Sequence, residues 1–204
     1  MIIGMPCAFG LMTLSEPIMR LLYPAQISSA VSAAPCLFIL SIGVVFLSSV
    51  QTTTGILQGV GKQMIPVRNL FFGALVKIVI TYVATGIAVI NVKGAALGTI
   101  AAYTVAASLN TVAVRKYTGT RLNVTQIWIK PMIAAAAMSF FVWGVHRIAL
   151  GIVGNTVATL AAVMVGAFTY GIMLFVTKTV TMEELALMPK GDKLARVIGK
   201  FIRR

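Results

Sequence analysis

Residues 33–57 read AAPCLFILSIGVVFLSSVQTTTGIL, twenty-five positions without one charged side chain. A helix needs about 20 apolar residues to cross the hydrocarbon core of a bilayer. Inside lipid a helix is also one of the few structures that satisfies every backbone N–H and C=O within its own segment. The stretch therefore predicts a membrane-spanning helix. Four more runs of the same kind follow at 66–90, 94–114, 127–150 and 155–177, each bounded by charge, Pro, Gly or Asn.

Composition agrees with that reading. Of 204 residues, 59% are hydrophobic and 10% charged, with a mean hydropathy of +0.97. An ordinary soluble domain has roughly 45–50% and about 25%. Intrinsic disorder is excluded because disordered chains are poor in apolar residues. The expected fold is all-α: a polytopic transmembrane bundle of about six helices occupying 1–178, followed by a basic tail at 179–204. The sixth helix is the run 1–14, which is apolar from its first residue and stops at Ser15-Glu16-Pro17. It lacks the basic flank and small-residue cleavage site of a signal peptide. It reads as the later part of a helix whose beginning is missing.

Seventeen Lys and Arg against four Asp and Glu give a net charge of +13. In a soluble chain such a balance suggests nucleic acid. Here the basic residues fall mainly between apolar runs, where they set topology, and no nucleic-acid partner is expected. With the N-terminal edge placed inside, the inner loops hold Lys62, Arg68, Arg115, Lys116, Arg121 and Lys130, and Lys178 together with the tail adds seven more basic residues. The outer edges hold only Arg20, Lys93 and Arg147. This asymmetry predicts a cytoplasmic C-terminus. The tail PKGDKLARVIGKFIRR (189–204) has the pattern of a short basic amphipathic helix lying on an anionic leaflet. Fixing topology is the simpler explanation for it.

Small residues recur every fourth position at Gly94, Gly98, Ala102 and Ala106, and again at Ala158, Ala162 and Gly166. Such faces let helix backbones approach closely in lipid. Trp128 and Tyr23 fall at expected interfaces, whereas Trp143, Tyr82, Tyr103 and Tyr170 read as packing residues. Cys7 and Cys36 read as buried free thiols. They show neither CxxC spacing nor a cluster with His146, the single histidine, so no metal, cofactor or disulfide framework is expected.

Lys77 is the most informative polar residue. It lies eleven positions after Pro66, roughly 16 Å into a helix. A cation at that depth costs on the order of 2.5–3.5 kcal/mol and should face the bundle interior or a wet cavity. There it suits an anionic substrate such as a phosphate or pyrophosphate. A structural Lys paired with helix carbonyls is the bland alternative. Gln51 and Gln58, with Thr52, Thr53 and Thr54 between them, form a polar stripe that either lines a cavity or bonds neighbouring helices. Ser108 and Asn110 form a weaker one. His146 and Arg147 read as interface residues near the outer end. No span carries Asp or Glu, which counts against a cation-coupled exporter. GVGK lacks P-loop spacing, and no nucleophile–base pair is visible, so no enzyme chemistry is expected.

Two stretches carry a family resemblance: LSEPIMRLLYP (14–24) and TTGILQGVGKQMIPVRNLFFGALVKIVITYV (53–83). In the second, a helix ends in LQGVGK, a tight basic turn follows, and the next helix begins at IPVRN. The chain resembles polysaccharide-biosynthesis transporters of the multidrug/oligosaccharidyl-lipid/polysaccharide exporter superfamily, nearest the branch of stage V sporulation protein B-like flippases. The resemblance implies the C-terminal lobe of a 14-helix protein in a bacterial plasma membrane, with the N-terminal lobe as a missing partner. It further implies flipping of polyprenyl-pyrophosphate-linked saccharides during cell-envelope or spore-cortex biogenesis, with Lys77 as the matching central charge. Gly59, Gly61 and Lys62 match the turn motif, where small residues permit a tight helix-to-helix connection. A multidrug exporter of the same superfamily and a truncated remnant without transport are the alternatives.

Overall fold

A computed structural model describes residues 1–87, 90–119 and 125–176, and all regular structure among them is helical. The order is α1 (Gly4–Thr13), α2 (Ser15–Leu22), α3 (Ile27–Gly59), α4 (Met64–Thr85), α5 (Lys93–Thr118), a π-helical turn (Thr125–Ile129) and α6 (Lys130–Val176). Five segments are long and apolar enough to cross a membrane: Ile27–Gly59, Met64–Thr85, Lys93–Thr118, Ile127–Ile152 and Gly154–Leu174. They correspond to the five full runs read from the sequence. The chain is a membrane-embedded helical bundle. The basic tail at 179–204 lies outside the described residues.

α3 begins six residues ahead of the apolar run that predicted it. Ala30 and Ala34, four apart on one face, are both buried and extend the packed surface into the expected loop. Pro35 lies inside this helix. Its missing N–H costs one backbone bond, which transmembrane helices tolerate where neighbours resupply the partner.

α6 reverses at Gly154, whose φ of 76° and ψ of 171° lie in a region open essentially to glycine alone. The two arms then pack antiparallel, with Gly166 against Val142 and Met138. Ala158 and Ala162 are fully buried, as the small-residue face predicts. α4 and α5 form a second antiparallel hairpin, in which Gly94 abuts Ala84, Gly98 abuts Thr81 and the Lys77 carbonyl, and Gly73 abuts Ala102 and Ala106. A Cβ on Gly94 would come within 2.7 Å of the Ala84 backbone and one on Gly73 within 2.7 Å of the Ala102 carbonyl. Glycine is therefore what sets the spacing of this pair.

α5 also packs on α3, while α1 and α2 touch both α3 and α6; among the described residues α4 and α5 do not approach α6. The bundle is thus an α3–α4–α5 unit and an α6 hairpin, with α1–α2 between them. A core of Met5, Leu14, Ala134, Ala135, Met138, Val142, Ala162 and Tyr170 joins α1 to α6. The Tyr170 hydroxyl donates to the Ile2 carbonyl at 2.7 Å, and Asn155 Nδ2 donates to the Pro17 carbonyl at 3.2 Å.

Three side-chain expectations are corrected. Tyr82 is 83% and Trp143 51% exposed, so neither packs inside the bundle. Cys7 is exposed and Cys36 intermediate, although both thiols are free. The reason is common to all three: in lipid the outer surface is itself apolar, so hydrophobicity does not mark the inward face.

Candidate functional site

Lys77 sits on α4 thirteen residues beyond Met64, roughly 20 Å along the helix axis and about 12 Å short of Thr85. Its carbonyl lies against Gly98 of α5, because two glycine-permitted contacts above and below bring the backbones together. Its side chain is exposed. No acid lies on α3, α4 or α5 to pair with it. What the helix offers at mid-depth is an unscreened ammonium facing outward from the bundle.

Gln51 and Gln58 are exposed on α3, two helical turns apart and directed the same way. The structure does not bring them to Lys77. Gly43 of α3 faces Ile100 and Tyr103 of α5, and Gly98 of α5 faces the Lys77 carbonyl. Lys77 is therefore level with the neighbourhood of Gly43. Gln51 lies eight residues farther along α3, roughly 12 Å away in depth, and Gln58 farther still. The three polar positions are staggered in depth and do not converge on one point.

The turn after α3 is fixed by backbone geometry. Lys62 N–H donates to the Leu57 carbonyl at 2.8 Å and Gly61 N–H to the Gln58 carbonyl at 2.9 Å. With Gly61 at φ 75°, this is the paired 6→1 and 5→2 bonding of a Schellman cap. Gly59 is the last residue of α3, with open space where its Cβ would stand. Lys62 emerges at a defined point beside the end of α5, with its Nζ 5.4 Å from the Tyr117 ring centroid.

The sequence understated one constellation. Asn110 is fully buried on α5, in line with Gly94, Gly98, Ala102 and Ala106 at four-residue steps. Its Oδ1 accepts from Asn69 Nδ2 of α4 at 2.9 Å, and its Nδ2 donates to Thr54 Oγ1 of α3 at 3.3 Å. One amide thereby ties three helices near the end that carries Lys62. Continuation of the small-residue register to position 110 was the available signal. Ser108, its companion in the expected stripe, is exposed and donates to the Thr104 carbonyl of its own helix.

Toward the other end, Arg147 lies 5.3 Å from the Trp143 ring, and His146 Nε2 is enclosed without a hydrogen-bond partner. An apolar groove of about 680 Å³ opens between α1 and the second arm of α6, lined by Ile3, Cys7, Leu14, Met138, Gly166 and Tyr170 among others. Its chemistry suits hydrocarbon. Among the described residues no three His, Cys, Asp or Glu side chains gather as metal ligands would. Compared with known protein families, curated proteins and solved structures, the chain matches none.

Proposed function

We propose that this chain is one lobe of a membrane translocase for an anionic, lipid-linked substrate, of the lipid-linked oligosaccharide or peptidoglycan-precursor class. The observation that carries the reading is Lys77, an exposed cation about 12 Å inside the end of a spanning helix. Facing hydrocarbon, it would cost on the order of 2.5–3.5 kcal/mol. That cost disappears if its face of the bundle looks onto water or a second lobe, as in a transporter that opens to each side in turn. The pyrophosphate of a polyprenyl-linked saccharide is then the natural counter-charge. The apolar groove along α1 and α6 supports the reading, since it offers an apolar surface to a segment of the hydrocarbon chain of such an amphiphile. The proposed membrane is a bacterial plasma membrane, with the Lys62 end cytoplasmic by its excess of basic residues.

The family resemblance of 14–24 and 53–83 supports the same class, and the lack of acids on α3, α4, α5 and both arms of α6 as far as Val176 weighs against an exporter of cationic drugs. The test is transport of a fluorescent polyprenyl-pyrophosphate saccharide in proteoliposomes containing the chain, with and without its proposed partner lobe. Lys77→Ala should reduce the rate at least tenfold, and Lys77→Arg should keep most of it. Equal rates for Lys77→Ala and the parent would remove the proposal's central residue. Competition by a cationic dye, with none by the pyrophosphate lipid, would favour the drug-exporter alternative.

A further inference from the structure

Two lysines, Lys62 in the turn after α3 and Lys116 on α5, converge on one aromatic ring at the Lys62 end of the bundle. Lys62 Nζ, presented by the Schellman cap after α3, lies 5.4 Å from the Tyr117 centroid, and Lys116 Nζ of α5 lies 5.7 Å from it. All three residues are exposed. Arg68 in the first turns of α4 and Arg115 in the last turn of α5 are exposed at the same end. Among the described residues the sole carboxylate side chain is Glu16, which belongs to α2 at the opposite end and is already paired with Arg20. The ring's π face attracts each ammonium, but nothing described there neutralises the pair.

Directly beside these cations the surface becomes apolar. Met64 is 77% and Val67 60% exposed, and Leu70 and Phe71 continue the exposed apolar surface along α4. A ligand that meets both features is an amphiphile with a phosphate head and hydrocarbon chains. We propose that Lys62, Lys116 and Tyr117 form a binding site for the phosphate headgroup of an anionic membrane lipid, whose acyl chains run along the exposed face of α4. The site is distinct from Lys77, which lies more than ten residues deeper on α4, and it does not depend on transport.

Soluble phosphate shares the headgroup chemistry but not the tail, so the test compares both. The purified chain in neutral detergent is titrated with phosphatidylglycerol, phosphatidylcholine or inorganic phosphate, and bound lipid is read by native mass spectrometry. A surface lysine contributes about 1 kcal/mol to anionic-lipid attraction, which is roughly fivefold in affinity. Lys62→Gln and Lys116→Gln should each weaken phosphatidylglycerol binding about fivefold, and together roughly 25-fold, with phosphatidylcholine unchanged. Lys62→Arg with Lys116→Arg should restore it, and Lys93→Gln at the far end should leave it intact. The proposal is overturned if the double glutamine variant binds phosphatidylglycerol as the parent does, or if Lys93→Gln weakens it equally. Displacement of the lipid by millimolar inorganic phosphate would likewise overturn it, by assigning the site to a soluble anion.

Discussion

Asn69 Nδ2 donates to Asn110 Oδ1 at 2.9 Å, and the two side chains are 5% and 0% exposed. They lie 41 residues apart in the chain and meet because α4 and α5 close as an antiparallel hairpin on glycine contacts. Asn110 Nδ2 in turn donates to Thr54 Oγ1 of α3 at 3.3 Å. A polar group has few alternatives in this position, since the surroundings are apolar helix and lipid.

Asn110→Ala should therefore destabilise the α3–α4–α5 unit. It strands the Asn69 amide in a buried site, a loss of about 1–3 kcal/mol. The bonds themselves are modest in a bilayer, averaging about 0.6 kcal/mol. The double variant Asn69→Leu/Asn110→Leu should thus lose less than the sum of Asn69→Leu and Asn110→Leu made singly. Equilibrium unfolding in mixed detergent micelles measures all three, and strict additivity would show that the side chains do not depend on each other.

Glycine substitutions on the α4–α5 seam should be costly in proportion to contact. Gly94→Ala meets the Ala84–Thr85 backbone at 2.7–2.8 Å, and backbone does not move aside cheaply. A loss of about 1–3 kcal/mol is expected from overpacking. Gly55 of α3 has open space around its missing Cβ, so Gly55→Ala should be neutral or gain up to about 1 kcal/mol from helix propensity. Thermal stability of the two variants side by side gives the comparison, and equal effects would contradict the packing described.

At Gly154 the constraint is conformational, not steric. Nothing stands within 4 Å of its missing Cβ, yet φ is 76° and ψ 171°. Gly154→Ala should cost about 1–3 kcal/mol through backbone strain alone. Cysteines placed at Met138 and Tyr170 in a Cys7/Cys36-free background report whether the hairpin still closes, because both residues belong to the same buried core. Cross-linking that survives at parental efficiency in Gly154→Ala would mean another residue absorbs the reversal.

The orientation proposed from the basic residues predicts opposite labelling at the two ends of α4–α5. In the same Cys-free background, Lys62→Cys should resist a membrane-impermeant maleimide added to intact cells and react after permeabilisation. Lys93→Cys should react in intact cells. The reverse pattern would invert the bundle and place Lys62, Lys116 and Tyr117 outside.

Much of the architecture is written in single-segment properties. Apolar runs of membrane-crossing length locate α3 to α6, and the four-residue steps at 94–106 and 158–166 mark the surfaces that are buried against neighbours. These features are legible because each is decided within one helix, by length, by hydropathy or by the absence of a Cβ. The site residues behave otherwise. Lys77 is recognisable in sequence as a charge out of place, but its depth relative to Gln51 follows only from how Gly43 and Gly98 set the helices in register. The apolar surroundings of Tyr82, Trp143 and Cys7 in the sequence predict buried positions, yet all three lie outward, since lipid accepts apolar side chains as readily as a core does.

The sequence by itself thus determined that the chain is helical, that it belongs in a membrane and where its close-packed faces run. Only the packing of whole helices makes Asn69, Asn110 and Thr54 share one network, sets Lys62 and Lys116 each against the Tyr117 ring, and stands α1–α2 between the two halves. The physical reason is range. Partition into lipid is a property of about 20 consecutive residues, whereas a hydrogen bond or a cation over a ring needs two side chains within a few ångströms, and which side chains meet depends on the packing of whole helices.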